Sequence, residues 1–332
     1  MIPPRIVAVG RRRSLYLFVS IVERLRASGH DIVFHEDSDA FGAAGGTLSD
    51  ADVLLAASSF DCTRALIASG PRLRGIVSPT TGVEGFDLAA ATELGVLVAN
   101  GQTRENVESM AEATILLMLA VLYDLHGAET VLRENRPRPR QINARMLGGK
   151  TVGIIGFGRI ARAVAARLVG WDVSLQAYTR QPPIGFGTVR FIGLDELLQT
   201  SDVVCVLAAL NHGTRGLLTA GRLRLLKMGA TLINTARGGI IDETALCELA
   251  ARRPDLRLAL DTFTTEPLPA DSPLRGLPNA ILTPHMLGHT QEAQAGLPET
   301  AVENARRLLA GQVPRHVCNP EVIPRWRARW GR

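Results

Sequence analysis

The stretch Thr151-Val-Gly-Ile-Ile-Gly156-Phe-Gly158-Arg-Ile-Ala161 decides the fold. Its apolar start reads as a buried strand. Gly-x-Gly-x-x-Ala follows, and then a helix over residues 162–168. Gly156 permits a tight turn. Gly158, without a side chain, lets backbone N–H groups come close to a pyrophosphate. The small Ala161 allows close packing of helix on sheet, and the helix N-terminus adds partial positive charge. Such a glycine pattern is weak evidence by itself. The strand before it, the helix after it and a second strand at 173–177 turn it into a dinucleotide-binding βαβ unit.

That second strand runs into Tyr178-Thr179-Arg180. A carboxylate here would accept hydrogen bonds from a ribose 2′-hydroxyl and repel a 2′-phosphate. A hydroxyl and a guanidinium would hold the phosphate instead. Thr179 and Arg180 therefore predict NADP(H) as the preferred cofactor. NAD(H) stays possible if Arg180 only stacks on adenine.

Working outward, residues 203–207, 231–234, 256–261 and 280–282 read as further strands with helices between them. Upstream, 6–9, 32–34, 53–56, 75–77 and 95–100 repeat the alternation, with helices over 20–27 and 63–69. Short apolar strands separated by helices mean parallel sheets covered on both faces. The chain reads as two α/β halves, each a Rossmann-like doubly wound parallel sheet. A long helix is expected over 104–125, with Val107, Met110, Ala111, Ile115, Met118, Leu122 and Leu125 at 3–4 spacing, in a core or at a subunit interface. A closing helix over 291–309 should pack back on the first half.

At 332 residues the chain has room for about two domains. With 46% apolar and 21% charged residues, disorder, collagen and coiled coil fail as accounts of the whole. Basic residues outnumber acidic ones 37 to 32, and all but Lys150 and Lys227 are arginines. The resulting charge of +5 suits anionic small molecules and says little about nucleic acid. Residues 133–140 (RENRPRPR) are basic and proline-broken. Lacking interleaved aromatics and a folded motif, they read as a solvated linker rather than a nucleic-acid patch. Cys62, Cys205, Cys247 and Cys318 lie far apart, without CxxC or Cys/His ligand spacing. That disfavours zinc and a disulfide framework and fits a reducing cytoplasm. The opening MIPPRIVAVGRRRS lacks the apolar core of a signal peptide. The longest apolar stretch, 113–123, falls short of the about 20 residues a bilayer requires. Neither a membrane nor nucleic acid is an expected partner.

Three later stretches carry chemistry, each at the end of an expected strand, where a doubly wound sheet places its ligand crevice. Asn234-Thr-Ala-Arg237-Gly-Gly offers a guanidinium that can hold a carboxylate with two bonds. Asp261-Thr-Phe-Thr-Thr-Glu266-Pro267 offers two acids. Leu282-Thr-Pro284-His285 offers an imidazole able to move a proton near neutral pH, more so beside a carboxylate. Alone, Arg237 could be a surface ion pair, Glu266 a loop charge and His285 a satisfied buried ring. In this order after a dinucleotide turn, those readings give way.

Together these stretches resemble the D-isomer-specific 2-hydroxyacid dehydrogenases, the family of phosphoglycerate, glycerate, D-lactate and glyoxylate/hydroxypyruvate enzymes. The resemblance spans nearly the whole chain. It rests on Thr81-Gly82-Val83-Glu-Gly-Phe-Asp87, Asn106-Val-Glu-Ser-Met-Ala-Glu112, the stretch from Gly149 to Gly156, Ala236-Arg237-Gly238, Glu266-Pro267 and Thr283-Pro284-His285. It implies NAD(P)H-dependent reduction of a small 2-oxoacid to the (R)-2-hydroxy acid. Arg237 would bind the substrate carboxylate with backbone N–H groups around Gly82 and Val83. His285 would give the proton, paired to Glu266, which favours its charged form. Asp261 would accept from the nicotinamide amide. Phe157, Arg159 and Ile160 would lie on the pyrophosphate. Ala208, Ala209, Thr214, Thr235, Ala236 and Gly288 would line the cofactor. The resemblance also implies a discontinuous substrate-binding domain, 1–100 with 289–332, around a dinucleotide-binding domain at 101–288. Closure of the two would exclude water. A homodimer through the long helix and no metal complete the expectation.

Departures from the family pattern are Thr179 in place of an acid, Leu207-Ala208-Ala209 where relatives often carry His, and Gly101-Gln102-Thr103 in place of Pro-Gly. The tail, 324–332, is basic and aromatic. It reads as a frayed end, or as a segment closing over a neighbouring active site or binding an acidic partner. Two other functions compete. One is formate or phosphite oxidation on the same fold. Formate relatives carry Gln where Glu266 stands, which argues against that half. The other is a dinucleotide-sensing, corepressor-like binding protein.

Overall fold

The computed structural model describes residues 3–11, 14–43 and 45–331. Met1, Ile2, Arg12, Arg13, Ala44 and Arg332 lie outside the described residues, and with them the ends of the N-terminal stretch and the tail read above. The chain runs β1 (Arg5–Val9), α1 (Leu15–Ala27), β2 (Asp31–His35), α2 (Ser38–Ala43), β3 (Val53–Ala56), α3 (Arg64–Ala68), β4 (Gly75–Val77), α4 (Leu88–Leu94), β5 (Leu97–Ala99), α5 (Arg104–Leu122) and α6 (Leu125–Arg133). It continues with β6 (Thr151–Ile155), α7 (Arg159–Arg167), β7 (Ser174–Tyr178), β8 (Val189–Phe191), α8 (Leu194–Thr200), β9 (Val203–Val206), α9 (Ala220–Leu223) and β10 (Thr231–Asn234). Last come α10 (Glu243–Arg252), β11 (Arg257–Leu260), β12 (Ala280–Leu282), α11 (Gln291–Leu309) and α12 (Ile323–Trp330). Contacts divide the chain into two units, Met1–Asn106 with Gln291–Arg332, and Val107–Thr290.

The first unit holds a parallel sheet in the order β2-β1-β3-β4-β5. Alternate residues serve opposite faces, as the two-residue strand period requires. Ile6, Ala8, Val53 and Leu55 pack with α1, α11 and Trp326 of α12. Val7, Val9, Leu54 and Ala56 pack with Ile67, Ala90 and Ala91 on the other face. The tail is therefore not frayed: Trp326 is fully buried, and its indole N–H donates to the Arg74 carbonyl at 2.6 Å. Arg72 and Arg74 in turn bracket the buried Asp52.

The second unit holds a parallel sheet in the order β12-β11-β10-β9-β6-β7-β8. Ile155, Val204, Leu232 and Leu258 face α8 and α10, while Ile154, Cys205, Ile233 and Ala259 face α5 and α7.

Three boundaries and one strand differ from the sequence reading, and α1 also begins earlier, at Leu15 rather than at residue 20. Gly95 is not in β5; at φ +75° it ends α4 as a left-handed cap. The long helix stops at Leu122, because Asp124 turns left-handed, and Leu125 is exposed in α6. Helix α7 starts at Arg159, because Gly158 is its N-cap. Strand β8 was not anticipated. Among the described residues no single helix is long and apolar enough to cross a membrane. Only α5 with α6, bent by 59°, passes by length and composition, and α5 buries much of its length in the second-unit core. Residues 133–140 are exposed.

Candidate active site

In the second sheet the chain runs outward from β6 to β8, then returns to β9 and continues the other way. The point of reversal lies between β6 and β9, where an α/β sheet opens a ligand crevice beyond its strand ends. Gly156 follows β6 at φ +89°, and a Cβ on it would lie 2.5 Å from the Ala208 Cα in the loop after β9. Only glycine lets these two loops approach so closely. Gly158 faces open space, and no side chain caps α7. The N–H groups of Phe157, Gly158 and Ile160 donate to no protein acceptor among the described residues. This donor set fits a dinucleotide pyrophosphate. The Phe157 ring is committed elsewhere, packed edge-on against Phe186 and Phe191, so only its backbone can serve a ligand.

Beyond β7, Thr179 is half-buried and Arg180 exposed. The Arg180 guanidinium lies beside Gly213, in a loop tied by Asn211 to the Gly213 N–H at 2.9 Å and by Thr214 to the Ala209 carbonyl at 2.6 Å.

The three chemical stretches converge within this unit. Asn234 wraps the turn after β10: its Oδ1 accepts the Ala236 N–H at 3.1 Å, and its Nδ2 donates to the Arg237 carbonyl at 3.1 Å. Arg237 is half-buried, and its Nη1 donates to the Ala236 carbonyl. Asp261 is buried at the end of β11, where Oδ1 accepts from Thr283 Oγ1 at 2.7 Å and from the Met286 N–H at 3.2 Å. Those bonds shape the segment carrying His285, whose backbone is left-handed at φ +53°. Its Nδ1 meets Glu266 Oε2 at 2.7 Å. A carboxylate only accepts, so Nδ1 carries the hydrogen and Nε2 is left for a ligand. Glu266 Oε1 also accepts the Phe263 N–H at 3.0 Å. Burial opposes ionisation of Glu266. The bonds to His285 and Phe263, with the charges of His285 and Arg237, outweigh it and hold the carboxyl below the usual glutamate range.

Helix α5 supports both loops, a role the sequence reading missed. Thr114 Oγ1 donates to the Met110 carbonyl at 2.7 Å, so Thr235 must donate to it across 3.2 Å. Ser109 donates to the Gly288 carbonyl at 3.2 Å, and Met110 lies where a Gly288 side chain would go. Polar residues on an otherwise apolar helix face were the available signal. Burial pushes the Cys62 thiol up to about 12 and raises the Cys205 thiol as well. No cluster of three or more metal-ligating side chains occurs among the described residues.

In the first unit, Gly82 and Val83 lie in the loop after β4. That loop is braced by Ser78 to the Gly82 carbonyl at 2.8 Å and by Asn100 to the Thr81 carbonyl at 2.7 Å. The Gly82 and Val83 N–H groups have no protein acceptor among the described residues.

Residues 115–286 match the family model described as D-isomer specific 2-hydroxyacid dehydrogenase, NAD binding domain. The chain is 33% identical to a D-3-phosphoglycerate dehydrogenase of Mycobacterium bovis over 83% of its own length and 54% of that protein. It thus spans about half the length of the phosphoglycerate dehydrogenases it matches. It is 33% identical to a glyoxylate reductase of Thermofilum pendens, covering 88% and 89% of the two chains. Among solved structures, an NADPH-dependent glyoxylate/hydroxypyruvate reductase of Sinorhizobium meliloti, in complex with NADP and malonate, is similar with a TM-score of 0.84 at 26% identity. That match covers 96% and 97% of the two chains. An NAD-dependent formate dehydrogenase of Staphylococcus aureus is similar with a TM-score of 0.77 at 30% identity, covering 91% and 95%.

Proposed function

The chain belongs to the D-isomer specific 2-hydroxyacid dehydrogenase family, and on that premise we propose that it is an NADP(H)-preferring reductase of a small 2-oxoacid, giving the (R)-2-hydroxy acid. A bound nicotinamide dinucleotide supplies the hydride. Arg237 grips the substrate carboxylate with its planar fork. Among the described residues the Gly82 and Val83 N–H groups have no protein acceptor, which leaves them able to bond an anionic group. Protonated His285 gives its Nε2 proton to the keto oxygen. Glu266, on Nδ1, orients the ring and stabilises its positive charge. The N–H groups at the start of α7 hold the pyrophosphate, and Asp261 and Thr235 line the nicotinamide end.

The observation that carries this reading is the 2.7 Å His285–Glu266 bond, with Arg237 near enough for its charge to act on the same carboxylate. NADPH oxidation should be followed over 2-oxoacids of increasing size, beginning with glyoxylate and hydroxypyruvate. Turnover of at least one is expected. Tight NADPH binding with no turnover would overturn the reading in favour of a dinucleotide sensor. Reduction of NADP⁺ by formate alone would favour a formate dehydrogenase, which Glu266 disfavours, and reduction by phosphite alone would favour a phosphite dehydrogenase. The NADP(H) preference is supported by Arg180 beside Gly213 and by Thr179 where an acid would repel phosphate. A kcat/KM higher with NADH than with NADPH would end it.

A homodimer is part of the proposal. Helix α6 buries no residue, and Leu116, Tyr123, Leu125, Leu132, Ile142 and Met146 are all exposed. A second copy of the same surface is the occupant proposed, and sedimentation of a monomer at micromolar concentration would count against it. The free cysteines agree with a reducing cytoplasm.

A further inference from the structure

We propose that Glu243 is a positioning residue for the acid/base pair, gripping the turn that carries Glu266 by accepting a hydrogen bond from it. The consequence for rate rests on the reductase reading; the grip itself does not.

Glu243 is the first residue of α10, and its Oε2 accepts the Thr264 N–H at 2.8 Å. The preceding amide, Phe263 N–H, goes to Glu266 Oε1 at 3.0 Å, while Glu266 Oε2 holds His285 Nδ1. Two carboxylates thus hold successive amides of one turn, one from within the turn and one from α10. The same turn is pressed by the Arg237 segment: a Cβ on Gly238 would fall 1.9 Å from the Phe263 carbonyl carbon. The start of α10 is itself fixed. Asp242 Oδ1 accepts the Ala245 N–H at 3.0 Å, and the Asp242 N–H donates to the Leu218 carbonyl at 3.0 Å. Residues 237–243 therefore act as a strut, with the guanidinium at one end and Glu243 at the other, and the Glu266 turn lies against it.

Without Glu243, Gly238 still blocks the turn from one side and Phe263 stays in the core, but among the described residues no other hydrogen bond holds Thr264. The turn can then pivot, and Glu266 moves with it. Because proton transfer demands hydrogen-bond reach, a small pivot slows the step while Arg237 keeps its hold on the carboxylate.

The test compares Glu243→Ala with Glu243→Gln, which keeps an acceptor oxygen without charge. Kinetics use NADPH and glyoxylate. In parallel, the Glu266 side-chain carboxyl is followed by carbon NMR against pH, assigned with Glu266→Gln. The charges acting on that carboxyl are those of His285 and Arg237; Glu243, on the neighbouring helix, bonds the turn and not the carboxyl itself. Glu243→Ala should lower kcat roughly three- to tenfold, the rate equivalent of one modest hydrogen bond. KM for glyoxylate should stay near wild type, and the Glu266 titration should rise toward the ordinary glutamate range. Glu243→Gln should restore both. If Glu243→Ala keeps wild-type kcat and titration, or Glu243→Gln fails as badly, the proposal falls. Should Glu243→Ala not fold, Glu243→Asp, too short to reach Thr264, replaces it. Wild-type protein that does not turn over glyoxylate or any other 2-oxoacid would sink the reductase reading alone, and the titration would still decide the positioning role.

Discussion

Two glycines occupy the same place in two sheets. Gly10 follows β1 and Gly156 follows β6, each at its sheet's point of reversal. Each donates its N–H at 2.8 Å to the residue closing the neighbouring strand, His35 for Gly10 and Tyr178 for Gly156. There the likeness stops. A Cβ on Gly10 would meet the Phe34 ring at 3.2 Å, whereas one on Gly156 would meet Ala208 backbone at 2.5 Å from a left-handed φ. Past Gly10 come arginines; past Gly156 comes a second glycine that caps α7. One doubly wound sheet is thus a scaffold, and the other a scaffold brought to the close backbone approach a pyrophosphate demands. The fold alone does not assign the cofactor; the loop contact does.

The contrast can be broken most sharply at His285. Replacing it by Ala should lower kcat by roughly two to four orders of magnitude, as for a lost general acid, with stability little changed. Steady-state kinetics beside a melting curve would check this, and near-normal kcat would remove His285 from the mechanism. The first unit should respond in the opposite way. Trp326→Ala should cost about 3–5 kcal/mol of folding stability, read from denaturant unfolding, because the indole is fully buried and hydrogen-bonded. Next comes the glycine pair. Gly156→Ala should weaken NADPH binding roughly tenfold to a hundredfold through left-handed strain and the clash at Ala208. Gly10→Ala should leave binding unchanged, since a flexible ring can yield. Equal losses in a fluorescence titration would erase the distinction. The smallest effect is expected at Arg180. Its change to Ala should cost NADPH about tenfold in kcat/KM, one charge-assisted bond's worth, and NADH almost nothing.

Most of this was readable in the sequence because it depends on local pattern. The runs at β6, β9 and β10 are apolar on both faces and short, so they announce buried parallel strands. Arg237 and His285 stand close beyond strands and Glu266 in the loop after β11, and their order after the glycine turn let them be placed. Strand β8 was hidden because it has only three residues, lies at the sheet edge and carries an exposed Arg190. The end of α5 was hidden because apolar spacing continues past Asp124, where the backbone turns. The tail was misread through its arginines, although Val322, Trp326 and Trp330 repeat every fourth residue and mark a helix face. Glu243 had no local signal. Its partner, Thr264, is distant in sequence, and only the folded strut brings them together.

The left-handed backbone at His285 is costly to the fold. An L-residue there gives up about 1 kcal/mol relative to an ordinary conformation, and the bonds from Asp261 to Thr283 and Met286 enforce it. Asparagine would suit that backbone better than an imidazole does, and would be chemically silent. Selection for foldability alone would drift toward such a silent, calmer chain. Copies of this gene that escape demand for turnover are therefore expected to lose the imidazole early while keeping the sheet, the glycine turn and the capacity to hold a dinucleotide.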